Sequence, residues 1–270
     1  MRNVKRVYLS RNRSLADFNA KFDRGVIENT LRKAMTSREP VRLLEIGCGE
    51  GRVLMELRKL FPSVELHGIN KKPWPAMSGQ KSLIATAANY GIFTKEEARR
   101  VSLPVLHFHD ATELRFPDGY FDVVISQVSI YQMKRKDLLL QEVWRVLKKE
   151  GKAFLHIDSM YEDYPDFINQ ETPRFIIYKN NRLHPLRRFI KELRDKGYDI
   201  TCRMAFGNQS GDADLKRTNI VMHKNKEAKL ELNLAFDELS SFDLSVLGKI
   251  FKGDKLVGYR SVFQMETISK

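Results

Sequence analysis

The stretch "LLEIGCGEGR", residues 43–52, sets glycines at positions 47, 49 and 51 directly after an apolar run that carries one acid, Glu45. Beyond it "RVLMELRKLF" has helical spacing until Pro62 forces a stop, and "VELHGIN" then reads as a second strand. Strand, glycine loop, helix and strand within roughly thirty residues make a right-handed crossover unit of a parallel sheet. A loop leaving the carboxyl end of such a strand presents backbone N–H groups and the positive helix end to whatever lies there. Gly47, Gly49 and Gly51 are therefore read as the bare backbone against which a nucleotide-like ligand lies. A turn that merely needs positive backbone angles is the other reading of the same glycines.

Working outward, the pattern repeats. The run "DFNAKFDRGVIENTLRKAMT", residues 17–36, spaces its apolar residues as one amphipathic helix preceding the first strand. After Asn70 comes a long connection, irregular at Pro73 and Pro75, with helices expected over "SLIATAANYGIF" and "TKEEARR". "PVLHFHD" is the third strand, and "FDVVISQ", "RKDLLLQEVWRVLKKEG" and "KAFLHID" give strand, helix and strand again, with Gly151 closing the helix. "HPLRRFIKELRDKGY" is a helix ending at Gly197, followed by strands "YDITCRMAF" and "TNIVMHK". From Glu227 onward "LELNLAF", and a hairpin around "KGDK", form a β-rich extension. Alternating strands and helices predict a doubly wound α/β fold. Its expected parts are a helical cover over 1–39, a ligand-binding domain over 40–226 and the β-rich extension over 227–270.

Composition bounds the function. With 270 residues, 42% hydrophobic and 30% charged, the chain has the makeup of a soluble globular protein with a sizeable core. No apolar run nears the ~18 residues that cross a bilayer, and "MRNVKRVYLSRNRSL" lacks an apolar secretory core, so the cytoplasm is the expected compartment. Two cysteines, Cys48 and Cys202, give neither a disulfide framework nor metal-ligand spacing. A net charge of +13 favours anionic partners.

The spacing narrows the ligand. A dinucleotide fingerprint counted from Gly47 needs a glycine where Arg52 stands, and no Gly-Lys-Ser or Gly-Lys-Thr follows to make a phosphate loop. Together, "LLEIGCGEG", "VELHGIN", "HDATELRFPDGYFDVVISQ" and "LQEVWRVLKKEGKAFLHID" resemble the class I S-adenosylmethionine-dependent methyltransferases over residues 41–158. The resemblance implies a mostly parallel, Rossmann-like, seven-stranded sheet and S-adenosyl-L-methionine as cofactor. It implies that Glu45 and the backbone of Gly47, Cys48, Gly49 and Gly51 face the methionine part, and that Asp110 and Ala111 meet the adenine edge. Gln127 falls where the family lines the methyl-donor end. At Asn70 the sequence departs from the family, which has an acid there for the two ribose hydroxyls; an amide accepts from one and donates to the other. Glu45 and Asp110 also fit a plain strand-end cap or ion pair.

Methyl transfer asks mainly for alignment of a nucleophile and exclusion of water, with a base where the nucleophile carries a proton. Tyr131, His156 and Asp158 are the candidates near strand ends. His156 and Asp158 flank Ile157 and so share a strand face, as a base with its orienting carboxylate or as a structural pair. His107 and His109 read as strand residues, because no cysteine or acid completes a ligand set. The aromatic residues of "KKPWPAMSGQ" and "MYEDYPDFINQETPRF" suit the walls of a small-molecule pocket. The basic N-terminus and "RFIIYKNNRLHPLRRFIKELR" leave RNA as a second acceptor. A cofactor-binding protein without transfer activity is a third reading, and the C-terminal hairpin could pair two copies into a homodimer.

Overall fold

The computed structural model describes residues 13–37, 39–73, 79–127, 129–130, 133, 136–157, 176–179, 182–207, 215–230, 251–252 and 255–256. The chain forms two compact units, Met1–His109 and Asp110–Lys270.

In the first unit the expected single helix over 17–36 is two: α1 (Leu15–Asn19) and α2 (Val26–Ala34). Gly25, at φ 73°, is the left-handed residue that breaks the run and serves as the N-cap of α2. The first helix begins earlier than its apolar spacing suggests, because Ser14 and Asp17 form a reciprocal capping box. It is held by Glu56, whose carboxylate accepts from Leu15 N–H at 2.5 Å, and by Asn19, whose amide donates to Glu28 at 2.9 Å. Next come β1 (Arg42–Ile46), α3 (Arg52–Leu60) and β2 (Glu65–Asn70), the crossover expected from the glycine loop. After them lie α4 (Gln80–Asn89), α5 (Lys95–Arg100) with its own capping box from Thr94 and Glu97, and β3 (Val105–Phe108). The strands β1 and β2, and β2 and β3, pair in parallel. Met55 of α3 and Leu83 and Ala87 of α4 are fully buried in one apolar cluster with Ile92 and Ala98. A Cβ on Gly68 would stand 2.6 Å from Cys48 Sγ and 2.7 Å from Leu54 Cδ1, so β2 meets the glycine loop and α3 at a distance only glycine permits.

The second unit opens with β4 (Phe121–Gln127), α6 (Lys136–Val146) and β5 (Leu147–Ile157), the two strands parallel. Gly151 does not close α6, as its position suggested. The helix ends at Val146 and the chain passes straight into β5, where a Cβ on Gly151 would lie 2.8 Å from Lys148 O and 3.1 Å from Phe121 O. The helix end is instead capped from afar: buried Lys224 donates to Leu147 O at 2.7 Å and Arg145 O at 3.3 Å. Arg145 also donates to Leu114 O and Phe116 O, and Glu142 accepts from Leu114 N–H, which ties the segment before β4 to α6. A hairpin of β6 (Ile176–Lys179) and β7 (Arg182–Pro185), read in the sequence only as a basic stretch, leads into α7 (Leu186–Asp195). Then β8 (Asp199–Gly207) and β9 (Leu215–His223) run antiparallel to each other, and β9 antiparallel to β5. Trp144 and Gln141 of α6 fix the following segment through Ala228 O and Leu230 O. The "LELNLAF" strand lies outside the described residues; β10 (Phe251–Lys252) and β11 (Lys255–Leu256) pair antiparallel around "KGDK".

The seven strands are ordered β3-β2-β1 in the first unit and β4-β5-β9-β8 in the second, and their pairings are parallel except those made by β9. This is the expected doubly wound, mostly parallel Rossmann-like sheet.

Candidate active site

The three loop glycines all have positive φ, 70° at Gly47, 55° at Gly49 and 76° at Gly51, yet they serve different ends. Gly47 turns the chain while its N–H still donates to Ile69 O of β2 at 2.8 Å. Gly51 is the N-cap of α3, and a Cβ there would meet Leu83 Cδ2 at 2.5 Å, so that glycine is required by the core. Gly49 has open space: among the described residues nothing lies within 4 Å of where its Cβ would be. The loop therefore offers one bare backbone position, Gly49, two residues before one that the core fills, Gly51.

Cys48 faces inward too. Its thiol is buried over Gly68, its N–H donates to Ile69 O, and burial pushes its pKa well above the usual thiol range, so it is no nucleophile.

Asn70, at the end of β2, is bound to the loop at both ends of its amide. Gly49 N–H donates to Oδ1 at 2.9 Å and Nδ2 donates to Gly49 O at 3.0 Å. The departure from an acid thus acquires a structural reason, because a carboxylate can accept the first bond but cannot make the second. Asn70→Asp is expected to lower the stability of the cofactor-free protein by about 1–3 kcal/mol, since an oxygen would then face Gly49 O. Urea denaturation measures this, and an unchanged midpoint would refute the clamp.

Glu45, one residue before the end of β1, is 4% exposed and its Oε2 has no hydrogen-bond partner among the described residues. Burial pushes its carboxyl up to about 8; Arg13 pulls it back and Glu56 adds to the rise. An acid so placed holds its proton at neutral pH and is ready to exchange it for a cation.

In the second unit, Asp110 is folded into a turn: Oδ1 accepts from Thr112 N–H at 3.0 Å and from Thr112 Oγ1 at 2.8 Å. Ala111 beside it is buried. Gln127, the last residue of β4, is 2% exposed, and neither Oε1 nor Nε2 has a hydrogen-bond partner among the described residues. His156 of β5 is fully buried, with Nδ1 2.8 Å from Asn219 Oδ1 of β9. Asn219 is the polar partner that sequence reading missed; it sits 63 residues downstream, and no local pattern marks it. Tyr131 and Asp158 lie outside the described residues, as do Trp74 and the aromatic residues of 158–175.

His107 and His67 approach each other across β2 and β3, Nε2 to Nδ1 at 3.1 Å, and burial lowers the pKa of both. Among the described residues no group of three or more His, Cys, Asp or Glu side chains is placed to hold a metal ion. Among the same residues no helix is long and apolar enough to cross a membrane.

Residues 44–155 match the family model described as "Methyltransferase domain". Over 126 residues the chain is 30% identical to ajmaline N-methyltransferase of Rauvolfia serpentina, covering 47% of this chain and 38% of that one. Over 121 residues it is 27% identical to malonyl-[acyl-carrier protein] O-methyltransferase of Bacillus cereus, covering 45% and 39%. It thus spans less than two fifths of either relative's length. The structure of Haemonchus contortus phosphoethanolamine N-methyltransferase 2 with S-adenosyl-L-methionine aligns with 77% of this chain and 56% of that one, at 17% identity and a TM-score of 0.45.

Proposed function

We propose that this chain, whose residues 44–155 match the methyltransferase-domain model, is a class I S-adenosylmethionine-dependent enzyme that transfers a methyl group from that cofactor to a small-molecule acceptor. The observation that carries the reading is the pairing of an open Gly49 backbone with a buried Glu45 carboxyl four residues before it, whose Oε2 has no hydrogen-bond partner among the described residues. Those are the features a methionyl group needs: main chain it can lie against, and an acid for its ammonium.

When bound, the cofactor's sulfonium supplies a methyl group already activated for displacement. The chain's residues bind and orient. Glu45, giving up its proton, pairs with the cofactor's ammonium. Gly49 admits the close approach while Asn70 holds its peptide plane in place. Asp110 and the N–H of Ala111 take the adenine edge, and Gln127 lies toward the methyl end. His156 removes the acceptor's proton, with Tyr131 and Asp158 as further candidates for contact with the acceptor. On the same reading residues 1–39 are a cover, 40–226 the catalytic domain and 227–270 an extension whose hairpin offers a pairing edge to a second copy, in a cytoplasmic protein.

Calorimetry with S-adenosylmethionine, followed by transfer of labelled methyl into the small-molecule and RNA fractions of a cell extract, tests this. Binding with label in the small-molecule fraction is the expected result. Ribonuclease-sensitive label would replace it with the RNA acceptor that the +13 charge favours. Binding without transfer would leave a cofactor-binding protein.

A further inference from the structure

Strand register brings three polar side chains side by side in the second unit. Gln127 of β4 pairs with His156 of β5, and His156 pairs with Asn219 of β9, so all three project from the same face of the sheet. All three are buried, at 2%, 0% and 5% exposure. Two residues back along the strands, the same face carries Ile125, Phe154 and Val221, so an apolar row gives way to a polar one at the carboxyl ends of β4 and β5. The next register position outward is Arg203 of β8, the nearest charged position in the row.

A buried amide with neither end bonded costs about 1–3 kcal/mol, and a fold that needed only to pack its sheet would place an apolar residue at 127. The Gln127 amide therefore calls for a polar group that is not part of the described protein. The neighbouring contact has a fixed sense. Asn219 Oδ1 can only accept, so His156 Nδ1 carries the hydrogen and donates, which leaves the lone pair of the neutral imidazole on Nε2.

We propose that Gln127, His156 and Asn219 form the acceptor subsite of the methyltransferase reading, with His156 Nε2 as general base, Asn219 as its positioning residue and Gln127 as the anchor of the acceptor. The inference rests on that reading and extends it. The acceptor is one whose nucleophile, a hydroxyl or an amine, carries a proton, with a polar group close enough to meet the Gln127 amide. As the acceptor's oxygen or nitrogen forms its bond to the methyl carbon, the electrons of the carbon–sulfur bond return to sulfur and the acceptor's proton passes to Nε2. The Nδ1–H bond to Asn219 steadies the resulting imidazolium. Asn219 orients the histidine from the neighbouring strand β9.

The test joins a spectroscopic and a kinetic measurement on the full chain. Nitrogen-15 NMR of histidine-labelled protein loaded with S-adenosylhomocysteine is expected to show His156 as the Nδ1–H tautomer, and Asn219→Ala to lose that preference. With the small-molecule fraction that wild-type protein labels, His156→Gln is expected to lower the transfer rate at saturating cofactor about 100-fold or more, with unchanged affinity for S-adenosylhomocysteine. Asn219→Asp keeps an acceptor for Nδ1–H and adds a charge, so it should retain transfer while moving the histidine limb of the pH–rate profile upward by about one unit. An Nε2–H tautomer in the wild type, or a wild-type rate in His156→Gln, would overturn this proposal alone. A protein that binds S-adenosylhomocysteine but methylates nothing would overturn the functional reading, and the subsite with it.

Discussion

Glu45→Gln is expected to stabilise the cofactor-free protein at pH 9, destabilise it modestly at pH 5, and weaken S-adenosylmethionine binding at least tenfold. Burial pushes the folded carboxyl up to about 8 from its ordinary 4.5, so between those values the folded chain holds a proton that the unfolded chain has lost. The stability this group contributes is complete below about pH 4.5 and disappears as pH rises through 8, with roughly 4–5 kcal/mol at stake. Glutamine does not titrate, but its buried amide has a desolvation cost of about 1–3 kcal/mol. The net gain at pH 9 is therefore about 1–4 kcal/mol, read as a higher unfolding midpoint. Binding moves the other way: the cofactor's ammonium needs the carboxylate, so wild-type protein near pH 7 should release close to one proton per cofactor bound. Calorimetry in buffers of different ionisation enthalpy measures that proton, and Glu45→Gln should release none. A wild type that binds without proton release would show that Glu45 does not meet the ammonium.

The crossover around the glycine loop was legible because its signals are local: an apolar run, glycines, helical spacing and Pro62 lie within a few turns of one another. Where local signals compete, the reading went astray. Apolar spacing ran through Gly25, but the left-handed backbone there divides the helix, and Ser14 starts α1 upstream of the apolar stripe. Gly151 looked like a helix stop, yet a buried lysine 73 positions later caps α6 and frees Gly151 to admit strand carbonyls. The candidate site shows the same division. Glu45, the loop and Gln127 follow from motif order, whereas the different duties of Gly49 and Gly51 depend on Leu83 of a helix beyond the second strand. The clamp by Asn70 and the pairing of His156 with Asn219 arise from strand neighbours, and sequence periodicity gives a strand's faces but not which strand will lie beside it.

Gly49→Val is expected to abolish measurable cofactor binding in a protein that still folds. At φ 55° a β-branched residue is strained, which lowers stability by about 1–3 kcal/mol. Among the described residues no atom lies within 4 Å of the new Cβ, so the side chain has room and no reason to unfold the protein. Its two methyl groups would instead occupy the space beside the loop that the methionyl group requires, and a ligand excluded by overlap loses at least 100-fold in affinity rather than a single contact's worth. Gly51→Ala supplies the contrast: one methyl group directed at Leu83 Cδ2, 2.5 Å away, should damage the core more than the site. Calorimetry with S-adenosylhomocysteine beside thermal unfolding separates the two, with Gly49→Val losing binding at a modest fall in midpoint and Gly51→Ala losing stability first. Wild-type affinity in a folded Gly49→Val protein would mean that the cofactor does not lie against this loop, and the functional reading would fall with it.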